Sequence, residues 1–358
     1  MRLRGTKQSS LLGGEIASQK TLAMTSPKMW VSTKLAALTD AMYTPCRIGA
    51  FSCVRGAIVT EQMMAGVYTI LVTPYDEQNR IDVESLQQLV DFNVAAGVHG
   101  LGVALGSEIV ALSEAERQLV TRTVVAQARG RVPVVINTGG PVAELAVLYS
   151  QTAADDGADA LMVRPPTFLP AGPEQVIAYF KAISDAVRLP IFIQETSETP
   201  VSGGLARRIA ESCPNVRYIK VESLPPPYQV GQAVAACGDL LGVFGGAGGS
   251  FFVEELRRGA IGTMPSCSQP EAFVAVWDAY QAGDERAAQE AMYRWILPVN
   301  RLATQAPAAF YHVHKEILRR RGVIRTANVR GPVAPLDAMT QRELAQVFEE
   351  LPRREVTV

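Results

Sequence analysis

Arg217-Tyr218-Ile219-Lys220-Val221-Glu222 reads as a short strand in which Tyr218, Lys220 and Glu222 share one face and Ile219 and Val221 the other. Seven further β-branched or apolar runs lie at 67–73, 100–105, 132–137, 160–163, 190–194, 241–244 and 261–264. Segments of helical period separate them. Asp82 precedes one in which Leu86, Leu89, Val90 and Asn93 recur at steps of three and four. Ser113 and Glu116 have the S-x-x-E spacing of a capping box, and Gly97, Gly130 and Gly157 stand where helices end before the next run. Nearly continuous apolar strands alternating with helices make a parallel sheet covered by helices. Eight such units in about 200 residues predict an α/β fold, the (β/α)8 TIM barrel, where a doubly wound sheet more often has about five to seven strands. Thr73-Pro74-Tyr75-Asp76-Glu77, after the first run, lacks the glycines of a dinucleotide fingerprint, so no nicotinamide cofactor is expected. Helical segments at 271–282, 285–302 and 308–321 follow the eighth run. The expected organisation is a leader at 1–65, a catalytic barrel at 66–270 and a C-terminal helical appendage at 271–358.

The 358 residues carry 34 basic and 35 acidic side chains, a net charge of −1 that provides no global field for nucleic acid. Charged residues interrupt every apolar run before the ~18–20 residues of a membrane span, so a membrane partner is not expected either. The five cysteines, Cys46, Cys53, Cys213, Cys237 and Cys267, are odd in number and show no C-x-x-C spacing. That usage fits a reducing, cytoplasmic setting and neither a disulfide framework nor a zinc site. His99, His312 and His314 are too few and too scattered for a multi-histidine metal centre. Residues 1–65 hold eight basic and three acidic side chains, leaving the rest of the chain acidic. This basic leader reads as a disordered tail or an over-called start upstream of Met63 or Met64, with organelle import the competing reading.

Barrels place reactive groups at the C-terminal ends of their strands. If Ile219 and Val221 pack under the helices, Lys220 points inward, where apolar surroundings disfavour an ammonium and expose an amine able to form a Schiff base with a ketone. Glu222, one step nearer the mouth on the same face, is placed as a general base. A purely structural Lys220–Glu222 ion pair is the competing reading. Gly106 and Ser107, at the strand-to-loop junction after the second run, form a candidate cradle for a substrate carboxylate, with a plain Gly-Ser turn as the alternative. Gln194 shares a face with Phe192 and can reach the interior, whereas Glu195 is expected to face the loop. Thr167, Thr196, Glu198 and Ser266 are loop positions that bear on substrate shape. Phe310, Tyr311 and the basic stretch 315–321 read as a solvated helix face.

Several short motifs, in this order and spacing, resemble the dihydrodipicolinate synthase and N-acetylneuraminate lyase family over residues 66–345. They are Val72-Thr73-Pro74-Tyr75-Asp76 with Asp82, Gly106-Ser107-Glu108 with Leu112-Ser113-x-x-Glu116, Gly130-Arg131-x-Pro133-Val134, Gly157-Ala158-Asp159-Ala160, Pro165-Pro166, Leu189-Pro190-Ile191, Ile219-Lys220-Val221-Glu222 and Gly259-Ala260-x-Gly262. The resemblance implies a barrel of the class I, Schiff-base type, with Lys220 forming an imine with a 2-oxo acid. It also implies substrate contacts from Thr73 and the Gly106-Ser107 turn, and assembly as a homo-oligomer, a tetramer. Such an imine needs neither metal nor other cofactor, because its protonated nitrogen takes up the electrons.

The departures from the family pattern are informative. Its Gly-Thr-Thr-Gly-Glu reads Ala104-Leu105-Gly106-Ser107-Glu108 here. Its strand-five Tyr-Asn pair, whose tyrosine relays protons, reads Gln194-Glu195, and the tyrosine supplied by a neighbouring subunit is absent from Pro165-Pro166-Thr167-Phe168. These features are similar to the branch that dehydrates 2-keto-3-deoxy sugar acids such as 2-keto-3-deoxy-L-arabonate. The expected function is therefore a lyase dehydrating such an acid, with an aldolase or synthase of the same family, or a non-catalytic ligand-binding relative, as alternatives.

Overall fold

A computed structural model describes residues 63–167 and 171–352. The leader expected at 1–65 lies outside the described residues apart from its last three. Eight parallel strands close into a barrel in sequence order: β1 (Gly66–Ile70), β2 (Gly100–Val103), β3 (Val134–Asn137), β4 (Ala160–Val163), β5 (Ile191–Glu195), β6 (Val216–Val221), β7 (Gly242–Gly245) and β8 (Gly262–Thr263), with β8 paired to β1. The intervening helices are α1 (Val83–Ala95), α2 (Glu114–Ala128), α3 (Ala143–Asp155), α4 (Pro173–Ala186), α5 (Gly203–Ser212), α6 (Pro226–Cys237) and the short α7 (Phe252–Leu256). Then come α8 (Pro270–Gln281), α9 (Glu285–Ala291), α10 (Leu297–Ala303), α11 (Ala309–Arg320) and α12 (Ala338–Glu350), with a π-helical stretch at Met292–Ile296 between α9 and α10. This is the (β/α)8 TIM barrel with C-terminal helices. α8 follows β8 as the eighth helix of the ring and packs toward β1, so the stretch 271–358 includes one barrel helix.

The local signals act as their chemistry requires. Asp82 caps α1 by accepting from the Ser85 N–H, and Leu86, Leu89, Val90 and Asn93 are the buried face. Ser113 and Glu116 form a reciprocal capping box at the start of α2. The first strand stops earlier than its apolar run: Leu71 still donates to the Gly102 carbonyl, and the chain then leaves the sheet ahead of Pro74, which has no N–H to give a ladder.

Two cores result. Residues pointing outward from the strands, among them Val67, Leu101, Val134, Leu161, Ile193, Ile219 and Val243, pack under the helix ring. The lumen holds Tyr68, Ile70, Val135, Met162, Phe192, Tyr218, Phe244 and Met264. Phe192 and Tyr218 stack with ring centroids 4.4 Å apart, and Phe244 meets both edge-on. Gly100 and Gly242 make room for the flanking rings, since a Cβ at either would collide with Tyr68 or Tyr218. The aromatic plug fills the lower barrel and forms the floor on which the mouth residues stand.

Candidate active site

The two-residue period of a strand carries Gln194 and Lys220 to the level above that plug, on the face of Phe192 and Tyr218. They are register partners on β5 and β6, so one step up the barrel brings both to the mouth. Lys220 Nζ lies 2.9 Å from Glu222 Oε1, with the lysine side chain 5% exposed and the glutamate 20%. Gln194 donates through Nε2 to Glu222 Oε2 at 2.9 Å, and Asn137 Nδ2 donates to Gln194 Oε1 at 3.3 Å. A continuous chain, Asn137 to Gln194 to Glu222 to Lys220, thus crosses four strands' worth of barrel wall and fixes both oxygens of one carboxylate. Glu195 is buried rather than turned to the loop: its Oε2 accepts the N–H groups of Glu222 and Ser223, each at 3.0 Å, and holds the end of β6 in place.

Lys220, Glu222, Gln194 and Gly106 line one cavity of about 440 Å³ at the mouth, a size suited to a small ligand. Thr196, Glu198 and Ser266 line it too, while Thr167 borders a different cleft. Thr73 and Ser107 do not face the cavity. Thr73 Oγ1 donates to the Ser107 carbonyl at 2.6 Å, and Ser107 Oγ accepts from the Ala104 N–H at 3.0 Å, so these buried hydroxyls brace the turn from beneath. Of the residues expected to form the cradle, Gly106 borders the cavity, while Thr73 and Ser107 shape its turn from beneath.

The loop after β7, Gly245-Gly246-Ala247-Gly248-Gly249, explains how a glutamate fits so close to the lysine. A Cβ on Gly246 would strike the Glu222 side chain, and a Cβ on Gly245 would strike the carboxyl of Glu255 from α7. Glu255 is fully buried, both its oxygens lack a hydrogen-bond partner among the described residues, and burial pushes it up to about 8, with Glu254 and Glu222 adding repulsion. These surroundings favour the neutral acid over the carboxylate.

Other nucleophiles are disabled by their surroundings. Burial pushes the Cys213 and Cys237 thiols up to about 11, and His314, completely buried against Ser268 Oγ at 2.8 Å, is driven down to about 3. A cavity of about 400 Å³ between α2 and α3 holds Arg117, but that guanidinium donates to the Asn137 carbonyl at 3.1 Å and lies over the Tyr149 ring.

Sequence reasoning missed two residues and misplaced three others. Asn137 and Asn300 border the site; the latter donates to the Gly248 carbonyl and Ser250 Oγ, each at 2.9 Å, and ties α10 to the glycine loop. Phe310 and Tyr311 line the cavity and Lys315 is fully buried, so this part of α11 is not a solvated face. The signal was the four-residue step from Tyr311 to Lys315, which puts both on one side of a helix.

Residues 63–351 match the model of the dihydrodipicolinate synthetase family. The L-2-keto-3-deoxyarabonate dehydratase of Azospirillum brasilense is 27% identical over 295 residues, covering 80% of this chain and 94% of the relative. The 4-hydroxy-tetrahydrodipicolinate synthase of Sorangium cellulosum is 30% identical over 303 residues, 81% of this chain and 97% of the relative. Among solved structures, the E. coli K12 prophage protein YagE, in complex with pyruvate, superposes with a TM-score of 0.75 at 24% identity, covering 80% of this chain and 98% of that one. Among the described residues no helix is long and apolar enough to cross a membrane. With a family model spanning most of its length, the chain belongs to the dihydrodipicolinate synthetase family and is a lyase of its dehydratase or aldolase kind.

Proposed function

We propose that this lyase dehydrates a short 2-keto-3-deoxy sugar acid of the 2-keto-3-deoxy-L-arabonate type. The observation that carries the reading is the chain Gln194–Glu222–Lys220: base and nucleophile are joined at 2.9 Å, and an amide stands where a tyrosine hydroxyl would relay protons in a cleaving aldolase. Similarity to the A. brasilense dehydratase supports it.

In this mechanism Glu222 takes a proton from the Lys220 ammonium, the free amine adds to the 2-oxo carbon, and Glu222 returns that proton to the carbinolamine hydroxyl, which leaves as water and gives a protonated imine beside an ionised Glu222. The imine acidifies C3, and Glu222 removes a C3 proton to give the enamine. Electrons return from the enamine nitrogen through C3 and expel the C4 hydroxyl, which takes the proton back from Glu222 and leaves as water. Loss of a C5 proton and protonation at C3 then move the double bond to C4–C5, giving the enol of the C5 aldehyde, and hydrolysis of the imine frees Lys220. The substrate carboxylate sits at the Gly106-Ser107 turn, and Gln194 keeps Glu222 aimed. Nothing in these steps calls for a metal or cofactor. Three buried free thiols, Cys213, Cys237 and Cys267, suit a reducing cytoplasm as the place of action.

One observation favours aldol cleavage as a second reading: Tyr311 lines the cavity, with its hydroxyl donating to the Leu105 carbonyl at 3.1 Å. Burial first, and Glu108 next, raise this phenol above its ordinary value, which makes it a poor base for a C4 hydroxyl. Product analysis separates the readings. Incubation with 2-keto-3-deoxy-L-arabonate yields a 2-oxo acid semialdehyde under dehydration; pyruvate plus an aldehyde overturns it in favour of cleavage. Borohydride with any 2-oxo acid leaves a reduced adduct on Lys220, and a clean mass spectrum with every acid tried would point to a ligand-binding relative.

A further inference from the structure

α11 grips the Gly106 turn at both ends. Tyr311 donates to the carbonyl of Leu105, ahead of Gly106, and Lys315 Nζ lies 2.5 Å from Oε2 of Glu108, two residues beyond it. Tyr311 and Lys315 are four residues apart, on one side of the helix, and Phe310 lies close enough that a Cβ on Gly106 would press against its ring. The grip has work to do. Glu108 sits at φ 57°, ψ 29°, a left-handed conformation that is unfavourable for a non-glycine residue and persists only when its surroundings impose it.

Lys315 is itself fixed from several directions. It donates to the Asn328 carbonyl at 2.8 Å and lies 4.2 Å from the centre of the Tyr75 ring, in the loop after β1. Asn328 Nδ2 in turn donates to the Asp76 carbonyl, and Thr326 Oγ1 to that of Tyr75. Arg330 lies over the same Tyr75 ring at 4.4 Å and reaches Glu116 and the Ala111 carbonyl. The C-terminal segments therefore fasten the loops after β1 and β2, and Lys315, like Arg330, ties both loops to the segment after α11.

Resting on the Schiff-base reading above, we infer that Lys315 is a positioning residue for recognition of the substrate carboxylate: through Glu108 it holds the Gly106-Ser107 turn in its binding conformation and never meets substrate itself. The consequence is specific to charge on the ligand. A 2-oxo acid needs the turn, whereas its neutral ester needs only the amine of Lys220.

Borohydride trapping with pyruvate and with methyl pyruvate tests this on the full-length protein. In Lys315→Met the half-saturating pyruvate concentration rises about tenfold or more, trapping at saturation stays within about threefold, and methyl pyruvate is unaffected. Equal loss for both probes, or no change in either, overturns the inference. Should Lys315→Met fail to fold, Tyr311→Phe removes the grip at the other end of the turn and shifts the pyruvate-to-ester ratio in the same direction by about threefold; an unchanged ratio overturns the inference. Wild-type protein that traps neither probe would instead overturn the Schiff-base reading, and this inference with it.

Discussion

Lys220 and Lys315 each meet a glutamate inside the protein, at 2.9 and 2.5 Å, and the two pairs are built for different ends. Glu222 follows Lys220 by two residues, just past the end of β6, so the pair forms with the sheet itself, and its upper side opens on the cavity. Glu108 comes from the other end of the chain, and its pair with Lys315 forms only when α11 docks. Lys315 is also spent on the Asn328 carbonyl and the Tyr75 ring. Burial pulls Lys315 down to about 8 and pushes Glu108 upward, yet the sealed pair has no route to a ketone. A buried lysine with a carboxylate partner is therefore not by itself a nucleophile. Access decides, and here the strand end after Val221 and the side-chain-free Gly246 provide it.

The sharpest way to break this comparison is to remove one member of each pair in turn. Lys220→Ala abolishes the borohydride adduct and lowers turnover by at least about 10³-fold, since among the described residues no other lysine lines the cavity. Glu222→Gln keeps the adduct but loses about 10²–10⁴-fold in turnover, as expected for a missing proton-transfer group. Mass spectrometry of trapped peptides checks both. An adduct on Lys315, or full activity in Lys220→Ala, would show that access was misjudged.

For the sealed pair the large effect is on stability. Lys315→Met strands a buried carboxylate and destabilises the fold by about 3–5 kcal/mol, whereas replacing both partners, Lys315→Met with Glu108→Leu, restores much of that loss because the desolvation cost disappears from both sides. Denaturant melts of the two variants decide it. A double variant no more stable than the single one would mean that the pair is worth more than its burial costs.

These two pairs were not equally legible in the sequence. The barrel was, because eight apolar runs alternate with capped helices, and the structure places its strands within a few residues of those runs. The inward aim of Lys220 followed from the two-residue period of Tyr218, Lys220 and Glu222, a purely local property. Lys315 was not legible. His312, Lys315, Glu316 and Arg319 to Arg321 give α11 the composition of a solvated face, and only its docking over the mouth, set by contacts with Tyr75 and Glu108 far away in sequence, buries the lysine. Thr73 and Ser107 show the same limit from the other side: their position at the turn was readable, but a hydroxyl that points down to brace a backbone and one that points up to a ligand have the same sequence. Glu195 was misplaced for a related reason, since its partners are the backbone N–H groups at the end of the next strand.

Glu255 supplies the most discriminating test, as a buried carboxyl that faces no lysine. Held at about 8 against about 4.5 in the unfolded chain, it keeps its proton in the fold where the unfolded state has released it. The sign follows. Between those two values the folded state binds one proton more, so this group's contribution to stability is full below pH 4.5 and declines by about 1.4 kcal/mol per pH unit until pH 8. Glu255→Gln keeps the shape and cannot ionise, so its stability loses that slope while the opposite contributions of arginine-paired carboxylates such as Glu116 are common to both proteins. Urea denaturation at pH 5, 6.5 and 8 then shows the variant gaining on the wild type as pH rises. Parallel curves would mean that Glu255 is already ionised in the fold, and that the neighbourhood of Glu222 tolerates a second negative charge on the far side of Gly245 and Gly246.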